Sequence, residues 1–444
     1  MTDPVADAVV DAVRGQGRGR ALPRALTPFR HPGYRRLAVA LVASTFGLGV
    51  WVVALVWEVI RIGGGPTQLS IVTTANAIGL LVPALLAGVV ADRVQQKTIL
   101  LAVCAVELTC LATVAVLSLT GVTAIWHLSI VAFVMGAAMA FYYPAYSAWL
   151  PALVAESDLL AVNGFEGMIR PAIGQALGPA VAGVVVGAAS PGAAVSVAVG
   201  SYVVSLLALI TVPRTPLRRE LDATDDRHPV RTAIDDMGEG FRYMARTPWL
   251  LATLLFASLM VLVIMGPLEV LIPFLIKDQL GGGSGDHALV LAGFGVGSAV
   301  GALVMGSLRM PRRYLTIMTL MWGVACLPFV VIAYATQVWI VVAAAFVMGA
   351  VFDAPMVIWG TLLQRRVPPD LLGRVSSLDF FVSLAFMPIS MALAGPVSEL
   401  IGLQATFVAA GVAPVLFAVV AVVWARMPVD EVAHPLRDDA GQLT

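Results

Sequence analysis

The chain has 444 residues, of which 59% are hydrophobic and 12% charged, with a mean hydropathy of +0.91. Soluble domains carry about 25% charged residues, and half that share leaves too little polar surface to cover a globule of this size. A soluble enzyme, a disordered chain and a collagenous one are therefore excluded. Lys plus Arg and Asp plus Glu balance at 27 each, giving no basic surplus for nucleic acid. Cys104, Cys110 and Cys326 lie inside apolar runs, which argues against a disulfide framework.

A hydrocarbon core about 30 Å thick takes roughly 20 apolar residues per helix. Runs of that length predict helices over 37–60, 69–91, 98–120, 125–147, 164–188 and 193–212. Six more follow over 249–276, 287–308, 315–335, 338–361, 376–400 and 404–425. Spanning strands would alternate over ten residues, so the fold class is an all-α polytopic membrane protein. Residues 1–34 read as a basic cytoplasmic tail: the first 30 contain five arginines and no apolar h-region, so they are not a signal peptide. The 213–248 loop is polar with mixed charge and reads as a cytoplasmic linker, and 427–444 as a second cytoplasmic tail.

Basic residues set the orientation. With both termini in the cytoplasm, 24 of the 27 fall inside; only Arg61 and Lys277 fall outside, and Arg170 falls within the membrane. The expectation is a multi-pass protein of the cell inner (cytoplasmic) membrane.

The chain repeats itself. AFVMGA at 132–137 recurs at 345–350, an offset of 213 that also carries Trp126 onto Trp339. Pro144 meets Pro355 and Glu58 meets Glu269 at 211, and Asp158-Leu159-Leu160 meets Asp370-Leu371-Leu372 at 212. Two pseudo-symmetric six-helix bundles, 35–212 and 249–426, follow from this. Halves related by an axis along the membrane normal make a transporter architecture, with the substrate site between them near the midplane.

Two motifs carry mechanism. Gly88-Val89-Val90-Ala91-Asp92-Arg93-Val94-Gln95-Gln96-Lys97 ends the second helix, and Gly174-Gln175-Ala176-Leu177-Gly178-Pro179-Ala180-Val181-Ala182-Gly183 lies in the fifth. The first resembles the loop 2–3 signature of the major facilitator superfamily, with Gln95 in place of the second glycine. That resemblance implies a latch between the cytoplasmic ends of the halves, built on Gly88, Asp92, Arg93 and Lys97. The second resembles the antiporter signature of drug-exporting facilitators, with Ala182 in place of one glycine. Gly174, Gly178 and Gly183 form a smooth face for close helix packing, and Pro179 allows a bend. The stretches PALVAESDLLAVNG and LLQRRVPPDLLGRVSS look like those of the branch that includes enterobactin and macrolide exporters. The arginine usual in helix 4 of drug exporters is missing near Ala132, which leaves Arg170 as the only cation within a span.

An ionisable side chain inside a bilayer costs roughly 2.5–3.5 kcal/mol, so each is a candidate for function. Glu166 and Arg170, at i and i+4, read as a pair on one face, either bracing the bundle or switched by a proton. Glu107 falls close to mid-membrane, a place for a proton carrier. Asp353, beside Pro355, is a candidate binding or coupling acid. Glu58 and Glu269 sit toward the outer ends of helices 1 and 7, as interfacial partners of Arg61 and Lys277 or as acidic walls of the cavity mouth. Tyr142, Tyr143 and Tyr146, with Asp353, are candidate lining of a substrate cavity. Asp379 reads as a first-turn acid favoured by the helix dipole.

No G-x-x-x-x-G-K-[ST] occurs, and the five histidines are too scattered for a metal cluster. Neither cofactor nor metal is expected, and the driving force is a proton gradient. At about 100 mV and about one pH unit a proton supplies roughly 3.7 kcal/mol, worth a gradient of about 500-fold when one proton is exchanged per neutral substrate. The sequence thus predicts a monomeric exporter working by alternating access, trading protons for an amphipathic small molecule that an acidic cavity would favour as a cation. Alternatives are a narrow siderophore or secondary-metabolite exporter, a proton-coupled uptake symporter, and a lipid flippase or non-transporting scaffold.

Overall fold

A computed structural model of the chain describes residues 24–154, 158–215, 238, 240–308 and 310–436. Among these every regular element is helical, and twelve helices are long and apolar enough to cross a membrane. They are α1 (Pro32–Arg61), α2 (Pro66–Arg93), α3 (Gln96–Leu119), α4 (Ile125–Trp149), α5 (Phe165–Ala188) and α6 (Pro191–Thr211). After the central loop come α7 (Pro248–Gln279), α8 (Ser284–Ser307), α9 (Tyr314–Ala333), α10 (Val338–Arg366), α11 (Phe381–Ile401) and α12 (Leu403–Trp424).

Local chemistry sets the ends. Proline stands at the first helical position of α1, α2, α6 and α7, where its missing N–H has no intrahelical partner to lose. Ser190 caps α6 by accepting from Ala193 N at 3.1 Å. Gly402 alone joins α11 to α12 and takes φ +87, a left-handed conformation that favours glycine. Between α2 and α3, Val94 is extended and both it and Gln95 have negative φ, −105 and −56. The turn therefore needs no positive φ, which explains why Gln95 can stand where the motif has glycine.

The first six helices pack as α1 on α5 and α6, α2 on α4, and α3 on α4 and α6. The last six repeat the plan, with α8 on α10, α12 on α7 and α9, and α7 on α11. The AFVMGA repeat encodes one of these contacts twice. Gly136 on α4 touches Asn76 of α2, and Gly79 of α2 touches the Phe133 carbonyl. In the second half Gly349 on α10 touches Phe294 of α8, and Gly297 of α8 touches the Phe346 carbonyl. Asn76 Nδ2 also donates to Ala132 O at 3.0 Å. Ala132 itself is fully buried in that contact, leaving no room for the arginine that drug exporters carry near there.

The described residues next to the first and last spans form regular structure. A 3-10 turn over Arg24–Arg30 precedes α1, which starts at Pro32 rather than 37. Phe29 packs edge-on against Tyr34 and Phe165, with centroids 5.3 and 5.0 Å apart. Thr27 and His31 bond the Asp158 carboxylate at 2.7 and 3.2 Å. At the other end Met427–Ala433 forms a helix, α13, that docks on the second half. Buried Glu431 accepts from Leu315 N (2.9 Å), Thr316 N (3.3 Å) and Thr316 Oγ1 (2.6 Å), satisfying the open N–H groups at the start of α9. Arg366 binds Asp430 and stacks 4.7 Å over Trp249.

A candidate transport cavity and its acids

The two helix groups meet along α2–α11 and α5–α8, and the seal is tight at the face opposite the termini. There Gly183 of α5 lies against Ser284, Gly285 and Ala288 at the start of α8, and Ser284 Oγ donates to Gly183 O at 2.9 Å. Symmetrically, Gly395 of α11 lies against Pro66 and Thr67 at the start of α2, and Ser70 Oγ accepts from Gly395 N at 2.9 Å. Thr67 Oγ1 donates to Glu399 at 2.6 Å. The antiporter-like motif thus serves two contacts. Gly174 and Gly178 press α5 onto Thr45, Phe46 and Gly49 of α1, whereas Gly183 crosses to the other half. The irregular winding of α5 comes before Pro179: the helix widens to π winding over Arg170–Leu177, starting beside Pro171. Such wide turns are frequent at functional sites.

Beneath this seal lies a cavity of about 250 Å³. Its lining draws on α1, α2, α3, α4, α7, α8 and α11, so both halves contribute. Leucines and valines share the wall with Trp51 and the thioethers of Met135, Met139, Met387 and Met391, and no Lys or Arg is among the lining residues. Two carboxylates reach it from opposite halves, Glu107 on α3 and Glu269 on α7. Glu107 is 5% exposed and lies beside Tyr202. Glu269 sits in a π turn, Pro267–Leu271, and lines the cavity, with neither an ion pair nor a hydrogen bond among the described residues.

The other expected acids lie elsewhere. Glu58, the repeat counterpart of Glu269, has no exposure at all. It accepts from Arg61 Nε (2.8 Å) and Nη2 (2.7 Å) and from Ser118 Oγ (2.9 Å), which ties α1 to α3. It is a structural brace, not an acidic wall at the cavity mouth. Lys277 bonds Asp278 at 3.0 Å rather than Glu269. Asp353 is half-buried beside Ser298 on α8 and does not line the cavity.

Glu166 and Arg170 do not form the expected ion pair. Glu166 accepts from Tyr146 Oη at 2.6 Å, and Arg170 lies 5.5 Å over the Tyr143 ring. The tyrosines of α4 take both charges because they reach across to α5, and Tyr142 stacks on Tyr146 at 5.8 Å. None of Tyr142, Tyr143 and Tyr146 lines the cavity, which begins a turn away at Met139. The repeat offset of 213 carries Tyr146 onto Trp359, Glu166 onto Asp379 and Arg170 onto Ser383. Trp359 Nε1 donates to Asp379 at 2.9 Å, and Ser383 Oγ donates to Asp379 at 3.2 Å. Asp379 is therefore the second-half twin of Glu166 rather than a first-turn dipole acid. Sequence reading missed the pair because Tyr and Trp, or Glu and Asp, do not register as identities.

Of the expected latch, the side chains of Gly88, Asp92 and Arg93 lie outside the described residues. Lys97 is buried, and its ammonium donates to Ile210 O at 2.8 Å and to Val212 O. It caps the C-terminal carbonyls of α6, a favourable place for a cation, and so works within the first six helices rather than between halves.

Twelve spanning helices, repeated as two sixes around a shared cavity, define a membrane transporter of the major facilitator type. The chain belongs to the transmembrane secretion effector family of that superfamily, whose pattern matches residues 24–439. It is 28% identical over 404 residues to the multidrug efflux pump Tap of Mycolicibacterium fortuitum, covering 88% of this chain and 95% of that one. It is 24% identical over 338 residues to macrolide efflux protein A of Streptococcus pyogenes, covering 75% and 81%. The fold matches a POT family transporter in complex with 5-aminolevulinic acid (TM-score 0.67, 12% identity, 88% and 96% covered). It also matches a bacterial homologue of the lysosomal transporter Spinster (TM-score 0.61, 15% identity, 90% and 98% covered). The family and these relatives are transporters, not enzymes.

Proposed function

We propose that this transporter exports amphipathic, preferentially cationic small molecules in exchange for protons, as a monomer in the inner membrane with both termini in the cytoplasm. The observation that carries this reading is Glu269: an uncommitted carboxylate in an apolar, methionine-rich cavity with no Lys or Arg among its lining residues. Such a carboxylate can hold a proton or a substrate cation in turn, and that exclusivity is antiport. Flexible thioethers adapt to varied apolar shapes, which suits several substrates. The drug-efflux relatives support export as the direction. With the basic face inside, the sealed face is outside, so the described state is inward-facing. Rocking about α2–α11 and α5–α8 then opens the cavity outward, and the two bundles, 35–212 and 249–426, are the moving bodies.

The test is uptake of rhodamine 6G into inside-out proteoliposomes with an imposed pH gradient, acidic within. Accumulation that a protonophore abolishes is the expected result. Accumulation that survives loss of the pH gradient and of the membrane potential rejects proton antiport.

A further inference from the structure

A second void, a groove of about 390 Å³, is lined only by the end of α2, the first half of α3 and the middle of α4. It shares no residue with the transport cavity. On α3, Glu107 lines the cavity and Val106 the groove; on α4, Gly136 lines the cavity and Ala137 the groove. Val94 and Val106 of the groove are exposed, whereas Ile99, Val103 and Ala138 are buried. The groove therefore opens sideways from the spans, where the hydrocarbon of the membrane lies.

Its length and polarity match a lipid tail. Thr98, in the first turn of α3, is the one lining residue with a polar side chain. It stands toward the face that carries the termini, at the depth where hydrocarbon gives way to ester. From Thr98 to Val106 the helix rises about 12 Å, most of the roughly 15 Å that the hydrocarbon of one leaflet provides.

The duplication explains the hollow. An offset of 218 carries Gly79 onto Gly297 and the first residue of α3, Gln96, onto that of α9, Tyr314. The same offset carries Ala102 onto Leu320, and the offset of 213 carries Ala138, the residue after AFVMGA, onto Val351. Both alanines line the groove. Two alanines thus stand in the first half where the second half has a leucine and a valine, and the missing bulk is the groove. Left empty, such a hollow forfeits dispersion contacts, and lipid tails are as apolar as the side chains it lacks.

We propose that this groove is a binding site for one acyl chain of a glycerophospholipid from the leaflet on the side of the termini. The bound chain lies along α3 with its ester end near Thr98. This lipid is a fixed partner of the first bundle and is neither substrate nor coupling ion.

The experiment places the full chain in phosphatidylethanolamine nanodiscs doped with a phosphatidylcholine that bears a diazirine in one acyl chain. Illumination followed by peptide mass spectrometry reads where the carbene inserts. Labelling of the groove is expected to exceed that of the twin positions on α9 and α10 by about fivefold. Ala102→Leu with Ala138→Val installs the second-half residues, fills the groove and brings its labelling down to the level of the twin face. The melting temperature shows whether this variant is folded; if it is not, the wild-type comparison decides alone. Equal labelling of the two faces in the wild type, or labelling undiminished in the folded variant, overturns the lipid site. Rhodamine 6G at a saturating concentration is expected to leave the labelling unchanged. Loss of labelling to the dye would make the groove a substrate site and overturn the assignment to lipid.

Discussion

At Glu58 the carboxylate accepts three hydrogen bonds in a site closed to solvent, while at Glu269 the same side chain meets open cavity. Removing one partner of a buried ion pair typically costs about 3–5 kcal/mol. Arg61 keeps 35% of its side chain exposed and can regain water, so Glu58→Gln should cost about 1–3 kcal/mol. The expected outcome is a lower melting temperature in detergent with substrate affinity unchanged. Glu269→Gln reverses the pattern: melting is unaltered, and efflux of a cationic dye falls at least tenfold while a neutral substrate is spared. The i, i+3 spacing to Arg61 is readable in the sequence. The Ser118 contact is not, since it comes from another helix, and neither is the failure of Lys277 to reach Glu269. Two π turns, Pro267–Leu271 and Leu275–Gln279, reset the spacing that regular α winding would give.

Among the elements, the repeated Gly136 and Gly349 make opposing carbonyls the direct neighbours of a glycine Cα, so any side chain there must push two helices apart. Overpacking of this kind costs about 1–3 kcal/mol. Gly136→Ala and Gly349→Ala should destabilise to a similar extent, seen as matched drops in melting temperature. An effect in one half only would mean that the repeat does not encode the contact. The twin clamps make a second paired prediction. Tyr146→Phe and Trp359→Phe each remove a donor from a shielded carboxyl, at about 1–3 kcal/mol apiece, again read by melting. Helix number and the positions of the twelve spans were legible because apolar length is a one-dimensional signal. The clamps were not, because chemistry is kept there while identity is lost. The docked helix α13 was hidden for a similar reason: Asp430 and Glu431 look like tail charges until α9 and α10 supply their partners.

For the whole molecule, the pseudo-twofold arrangement places a glycine of α5 against α8 and a glycine of α11 against α2, with polar bonds beside each. A Cβ at Gly183 would stand 2.8 Å from that of Ala288 and 2.9 Å from Ser284 O. Gly183→Val should therefore disfavour the sealed face. Spin labels at the ends of α5 and α8 on the sealed face are expected to report longer distances and a larger population open at that face than in the wild type. An unchanged distribution would show that this contact does not hold the face shut. The two-bundle plan was readable from the duplication and the close packing of Gly183 from the helix 5 motif, but not that Gly183 crosses to the other half. Which acids face the void was not, because a helical face acquires its surroundings only when neighbouring helices arrive. The most direct measurement of the account is the proton balance of substrate binding itself, read with a pH indicator in weakly buffered nanodiscs. Addition of a cationic substrate such as rhodamine 6G is predicted to release protons from the wild type and not from Glu269→Gln. Tight binding without release, or release undiminished in Glu269→Gln, would contradict a shared site for proton and substrate.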